Sequence, residues 1–328
     1  MKGLIERIRS RAKELNKHIV LAEGEDVRVL KAANELLTKG LCRVTLLGNE
    51  NEIRAEALKY ELSLPNVNII DPRSSDLREF YATKLLAARR HKGMTPADAA
   101  HLVGDPNYFA TLMVHAEHAD GMVSGARHTT ADTIRPALQI IKTKEGVRKA
   151  SSFFIMMTQD DAYPYFFTDC AFIPHPTAEE LAESAMLTAD AAKKLHERPR
   201  IAMLSFSTKG SARDPDLQRI MQATHIVRQD RPDLLIDGEL QLDAAIVPEV
   251  AKLKCPDSPI EGKANVLVFP SLDAGNIGYK LVERFGHARP IGPIIVGLKK
   301  PVNDVSRGAD VEQIVLTCCL TAIEGDFS

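Results

Sequence analysis

The chain has 328 residues, of which 45% are hydrophobic and 26% charged, with a formal net charge of -2. That length exceeds the size at which single cores stop growing and points to two domains, while the near-neutral charge supplies no field that would gather nucleic acid or an acidic membrane. Tryptophan is absent and aromatic residues make up only 5%, which also argues against a base-stacking nucleic-acid binder.

No apolar run approaches the ~18 residues needed to span a bilayer, and the opening residues Leu4-Ile5-Glu6-Arg7 lack a signal-peptide core. The five cysteines (Cys42, Cys170, Cys255, Cys318 and Cys319) are odd in number and show no CxxC spacing. That usage fits free thiols in a reducing compartment, so a cytoplasmic location is expected.

Along the chain, Ile5, Ile8, Ala12 and Leu15 fall on one helical face. Ile19-Val20-Leu21-Ala22 reads as a buried strand ending at Glu23-Gly24. Val27, Leu30, Ala33 and Leu37 repeat at helical spacing, with Gly40 placed to end that helix. Val44 to Leu47 and Val67 to Ile70 are the next strands. A second series begins near residue 150 with Phe153 to Met157. Thr177 to His196 predicts a long helix, with Thr177 and Glu180 spaced as a capping box. Ile201 to Leu204 leads into a small-residue loop, Ser205 to Ser211, and Val266 to Phe269 and Ile294 to Val296 are further strands. Strands alternating with helices predict an α/β fold of two three-layer lobes with largely parallel sheets.

Three segments carry candidate chemistry. The first is Lys300-Pro301-Val302-Asn303-Asp304-Val305-Ser306-Arg307-Gly308-Ala309-Asp310, preceded by the strand Ile294 to Gly297 and followed by an apolar helix, Val311 to Ile323. Free N–H groups at a helix start favour an anion, and Arg307 adds a planar fork suited to phosphate. The same residues also fit a plain capping box of Asp310 and Gln313 with a solvated Arg307. The second segment, Ser124-Gly125-Ala126-Arg127-His128-Thr129-Thr130 continuing to Arg135, is dense in hydroxyl and cationic groups. Gly125 lets backbone approach a ligand closely; Thr129 and Asp132 equally suit a helix cap. The third, Arg89-Arg90-His91-Lys92-Gly93, is a basic helix end, which dipole complementarity alone would favour. No metal is expected: His115 and His118 have i,i+3 spacing but no partner ligands. GxGxxG and GxxxxGK[ST] are both absent, which disfavours a dehydrogenase of related two-lobed build and a nucleoside-triphosphate enzyme.

Taken together with Asp237-Gly238-Glu239-Leu240-Gln241-Leu242-Asp243, Ala264-Asn265-Val266-Leu267-Val268-Phe269-Pro270 and Gly275-Asn276-Ile277-Gly278-Tyr279-Lys280, these blocks resemble the phosphate acetyl/butyryl transferase family, closer to its acetyl branch. The resemblance runs over essentially the whole chain. It implies a homodimer of two-lobed subunits with the active site in the interlobe cleft, residues 1–148 plus 300–328 forming the first lobe and 149–299 the second. It implies reversible acetyl transfer between coenzyme A and inorganic phosphate, with acetyl phosphate as the other small-molecule substrate, no tightly bound cofactor, and a role in acetate metabolism. Ser306 matches the family's catalytic serine and Arg307 its anion-binding arginine, and Arg89 and Arg135 match two further substrate-binding arginines. Ser124, Gly125, Thr129 and Thr130 would complete the substrate site.

One position departs from the family. The aspartate seven residues after the serine, its proposed base for the thiol, is Gln313 here, and glutamine accepts no proton at neutral pH. Glu312 and Asp310 are the neighbouring carboxylates that could take over. Rival readings are a non-catalytic acyl-CoA-binding regulatory module, which Gln313 would suit, and a transferase preferring propionyl or butyryl groups.

Overall fold

In the computed structural model, which describes residues 3–158 and 163–324, the chain forms two α/β units. One comprises the residues up to Lys144 together with those from Leu298, and the other comprises Glu145–Gly297.

The first unit opens with α1 (Leu4–Leu15), which buries Leu4, Ile8 and Ala12 and stops at Asn16 in the left-handed region, φ 44°. β1 (His18–Leu21) buries Ile19, Val20 and Leu21 on both faces, as a central parallel strand must. α2 (Val27–Thr38) is capped by Asp26, whose carboxylate accepts the Arg28 N–H. Its core face is Val29, Leu30, Ala33 and Leu36, so Leu37 of the predicted face is only half-buried. β2 (Arg43–Leu47), α3 (Glu50–Lys59), β3 (Asn68–Ile70), α4 (Arg78–Arg89), α5 (Pro96–Leu102), α6 (Pro106–His115), β4 (Gly121–Ser124) and α7 (Thr130–Ile140) follow. A 3-10 turn, Arg90–Lys92, extends α4 to Gly93 at φ 83°.

The second unit holds β5 (Ser151–Met157), β6 (Pro164–Thr168), α8 (Ala178–Lys194), β7 (Arg200–Leu204), α9 (Pro215–Asp230), β8 (Leu235–Leu240), α10 (Leu242–Ile246), α11 (Pro248–Lys254), β9 (Val266–Val268), α12 (Leu272–Gly286) and β10 (Arg289–Val296). The Thr177–Glu180 capping box is present at the start of α8. Its sheet runs β10-β5-β6-β9-β7-β8. The pairs among β6, β9, β7 and β8 are parallel, but β5 is antiparallel to both β6 and β10. The linker between β5 and β6 is too short for the crossover of a dozen or more residues that a parallel pair requires.

The chain then returns to the first unit through β11 (Val302–Asp304) and α13 (Val311–Glu324). The first sheet has the order β11-β4-β1-β2-β3, every pair parallel. The order reverses at β1: the chain moves outward through β2 and β3, then crosses to β4 and later to β11. Such a switch point, at the carboxyl ends of the strands, is where open α/β sheets bind ligands. α13 is buried from Ile314 to Ile323, the pattern of a helix enclosed on all sides. The strand entering the Ser-Arg-Gly turn is therefore β11. Ile294 to Gly297, the strand expected to lead into it, instead ends the other sheet.

Candidate active site

β4 and β11 lie side by side in register, Asp304 against Ser124. The ladder continues one step further, with the Val305 N–H donating to the Ser124 carbonyl at 2.8 Å. The two segments richest in candidate chemistry, 180 residues apart, thus leave the sheet together. Gly125 sits at φ 106°, and a Cβ there would lie 2.1 Å from Asp304 Oδ1 and 2.4 Å from the Val305 carbonyl oxygen. Only glycine permits this contact.

After β11 the chain turns tightly. The Ala309 N–H donates to the Ser306 carbonyl at 2.8 Å, and the Gly308 N–H donates to Ser306 Oγ at 3.2 Å. That hydroxyl accepts from the backbone, and its own hydrogen remains available as a donor. Ser306 and Arg307 are both exposed. Among the described residues the Arg307 guanidinium has no ion-pair partner.

Two residues that the sequence did not single out hold this geometry. Arg28, in the first turn of α2, uses all five of its donors. Nε and Nη2 bind Asp26 at 3.0 and 2.9 Å. Nη1 donates to the carbonyls of Arg307 at 2.7 Å and Ala309 at 3.1 Å, and Nη2 to that of Ala126 at 2.7 Å. A single fork therefore ties the Ser306 turn to the Gly125 loop. Glu23, just past β1 and 5% exposed, accepts the N–H groups of Ala126, Arg127 and His128 at 2.7, 2.8 and 2.8 Å, and His128 Nδ1 at 2.7 Å. Burial opposes its ionisation, but the bonds from His128 and from the loop backbone outweigh this and hold the carboxyl below its ordinary value. In return the Glu23 hydrogen bond raises His128. Successive N–H groups converging on a carboxylate form an anion nest, filled here from within the protein. A glutamate directly after a buried strand was the one signal of it in the sequence.

Asp304 is the third unforeseen feature. It is 2% exposed. Its Oδ2 accepts from Thr130 Oγ1 at 2.6 Å, while Oδ1 has no hydrogen-bond donor in good geometry among the described residues. Burial pushes its carboxyl up to about 7, against the lowering effect of the Thr130 and Thr133 hydroxyls. The Thr133 hydroxyl is near enough to contribute without completing a bond in good geometry.

The other candidates are distributed as follows. Ser124 is buried, and its hydroxyl has no hydrogen-bond partner among the described residues. Thr129 caps α7, accepting the Asp132 N–H and donating to its carboxylate at 2.7 Å. Arg135, on α7, stands 3.8 Å from Asp132. Arg89 ends α4. Burial raises the Tyr108 hydroxyl on α6, and the charges of Arg135 and Arg89 both oppose this. Gln313 and the two carboxylates considered in its place are engaged otherwise. Asp310 and Gln313 form the reciprocal cap of α13, each backbone N–H donating to the other's side chain at 2.8 Å. Glu312 reaches back to Arg9 of α1 at 3.5 Å.

Beside this loop, the ends of β1 and β2 line a cleft of about 850 Å³ whose wall includes Glu23, Arg127, His128, Arg73, Arg78 and His101. Ser306 and Arg307 are not part of its lining. All five cysteines are buried free thiols, so none is offered as a nucleophile. Among the described residues no group of three or more His, Cys, Asp or Glu is placed to hold a metal, and no helix is long and apolar enough to cross a membrane.

A parallel-sheet switch point carrying an exposed serine–arginine turn, braced against a hydroxyl-rich loop, defines an anion-handling α/β enzyme. Comparison with known proteins makes this specific. The family profile "Phosphate acetyl/butaryl transferase" matches residues 3–322. A phosphate acetyltransferase of Clostridium acetobutylicum is 49% identical over 326 residues, covering 98% of both chains. One from Bacillus subtilis is 47% identical over 306 residues, covering 93% of this chain and 94% of the relative. The crystal structure of a Streptococcus pyogenes phosphotransacetylase superposes with a TM-score of 0.93 at 45% identity, covering 99% and 98% of the two chains. The chain belongs to the phosphate acetyl/butyryl transferase family and is an acyltransferase.

Proposed function

We propose that this chain transfers an acetyl group reversibly between coenzyme A and inorganic phosphate. The observation that carries the reading is the Ser306–Arg307 turn, pinned by Arg28 beside the Ser124–Thr130 loop. The acetyl-specific names of relatives at nearly half identity across the whole chain support the acyl group.

In the mechanism that follows, the Arg307 guanidinium holds the phosphoryl oxygens of acetyl phosphate. Its unpaired, solvent-facing fork suits a dianion that arrives from water. The thiolate of coenzyme A attacks the acetyl carbon. The Ser306 hydroxyl donates to the oxyanion as it forms, a role that costs no reorganisation because the turn is already set. Phosphate then leaves, its charge offset by Arg307, with Arg89 and Arg135 as further cations for the anionic substrates. The nucleophile comes with the substrate, so no protein thiol is required. Gln313 does not argue for a binding-only module, because an alkyl thiol of pKa ~8.5 is already about 3% ionised at pH 7.

The buried free cysteines support a reducing, cytoplasmic setting. A homodimer is supported by α12, which exposes Ile277, Leu281 and Phe285 by 59, 49 and 81% at i,i+4 spacing.

The test is phosphate release from acetyl phosphate by purified protein with and without coenzyme A, with propionyl and butyryl phosphate in parallel. Coenzyme A-dependent release, fastest with acetyl phosphate, is expected. No release with any acyl phosphate would leave a binding module, and preference for a longer acyl group would reassign the substrate.

A further inference from the structure

We propose that Asp304, acting through the hydroxyl of Thr130, holds the proton released during acyl transfer and returns it, so that this pair fills the role left open at the start of α13. The inference rests on the functional reading above.

The geometry is that of a relay. Thr130 opens α7 and is partly exposed, whereas Asp304 behind it is 2% exposed. The Thr130 hydroxyl donates inward to Asp304 Oδ2 at 2.6 Å. Its oxygen keeps lone-pair capacity to accept a proton from a substrate S–H or O–H. Asp304 never meets substrate on this account; it is a positioning residue whose carboxylate lets Thr130 act as an acceptor.

The surroundings of Asp304 suit a group that gains and loses a proton. Burial is the main cause of its carboxyl rising to about 7, and the Glu23 carboxylate beyond β1 raises it further. The Thr130 and Thr133 hydroxyls of α7 and the Arg307 guanidinium lower it. Just past β4, Gly125 leaves no room for a side chain beside Oδ1 and brings no charge there. At the start of α13, Asp310 is turned to Gln313 and Glu312 to Arg9.

The step balances. In the direction that forms acetyl-CoA, the thiol proton passes to Thr130 Oγ1 as the threonine's own proton moves to Asp304 Oδ2. The sulfur–carbon bond forms and the bond between the acetyl carbon and the phosphate oxygen breaks. The proton then returns through Thr130 to the departing phosphate. Thiol and acetyl phosphate dianion become thioester and hydrogen phosphate dianion, with Asp304 and Thr130 unchanged.

The size of the effect follows from thiol ionisation. With about 3% thiolate at pH 7, losing the acceptor lowers the rate by up to about 30-fold, and the loss closes as pH passes ~8.5. The experiment measures kcat/KM for coenzyme A from pH 6 to 9.5 in the full chain and in D304N, T130V and T130S. The wild type should lose activity below about pH 7. D304N and T130V should lack that limb, follow thiol ionisation instead, and converge on the wild type at high pH; T130S should restore the wild-type profile. A loss in D304N and T130V that is the same at every pH would mark a purely structural role and overturn the relay, as would unaltered profiles. If the wild type itself transferred no acyl group, the functional reading would fall and the relay with it.

Discussion

Replacing Asp304 with asparagine should change how stability depends on pH, and the size of the change can be worked from the carboxyl's surroundings. Burial moves the Asp304 carboxyl from 3.8 to about 7 on folding. A raised folded-state value means that the folded chain binds the proton more tightly than the unfolded one. Between those two values the protonated, folded form is favoured, and stability is lost as pH rises. At about 1.4 kcal/mol per unit, the full loss above pH 7 is about 4 kcal/mol, of which somewhat over a third is already incurred at pH 5. From pH 5 to pH 8 the wild type should therefore lose about 3 kcal/mol relative to Asp304→Asn. The amide is neutral throughout, so any packing or hydrogen-bond cost of the substitution is a constant offset and leaves this difference intact. Urea unfolding of both proteins followed by far-UV circular dichroism at pH 5 and pH 8 measures it, compared in the transition that the substitution moves; the chain has no tryptophan to report by fluorescence. A stability difference equal at the two pH values, within about 0.5 kcal/mol, would show that Asp304 ionises like an exposed aspartate and would refute the argument from burial.

Ser306→Ala should lower turnover in both directions by on the order of 10² to 10³, the usual loss for one oxyanion donor, while shifting stability by under about 1 kcal/mol because the side chain is exposed; kinetics and a thermal melt on one preparation check both. Arg307→Ala should show its larger effect in the KM for phosphate and acetyl phosphate, measured by initial rates at varied anion. Arg28→Met should destabilise by on the order of 2 kcal/mol or more, since it removes five hydrogen bonds, two of them to Asp26. It should also lower kcat without touching substrate, and Arg28→Lys should recover little because an ammonium cannot reproduce the fork. Glu312→Gln should leave the pH–rate profile unchanged, and Gln313→Ala should cost about 0.5 to 1 kcal/mol in a melt through loss of the cap on α13.

Much of the fold was legible because the signals were local. The capping box at Thr177 and Glu180 involves one turn of backbone, so its spacing alone announces α8. Strands with continuous apolar runs, such as Ile19 to Leu21, announce a buried parallel strand in the same way. β8 and β11 were not legible as strands. β8 reads Leu-Ile-Asp-Gly-Glu-Leu, and its Asp237 is buried only because Arg228, 2.7 Å away, and Lys209 compensate its charge. Those partners come from α9 and from the loop after β7, and no window centred on the strand contains both. β11 has three residues, two of them polar, and is a strand only because β4 offers it an edge.

The site divides along the same line. The residues proposed to meet substrate, Ser306 and Arg307, stand in one short exposed turn, where residue type and the following helix start already suggest an anion corner. Residues that set the geometry are read only after folding. Glu23 follows an apolar strand and looks like a strand end until three N–H groups from residues 126 to 128 close on it. Arg28 looks like an exposed charge in the first turn of a helix until carbonyls 98 and 279 residues away meet its fork. Asp304 looks like a turn residue until Gly125, just past β4, and Thr130, at the start of α7, arrive beside it. Each of these three is a charged or ionisable group with a partner on a different element, and each sits where β1, β4 and β11 end. The parallel sheet is what turns three unrelated stretches into one preorganised corner. It delivers their carboxyl ends to the same edge in fixed register, so that a single guanidinium and two carboxyl groups suffice to hold the Ser306–Arg307 turn in place for the proposed reaction.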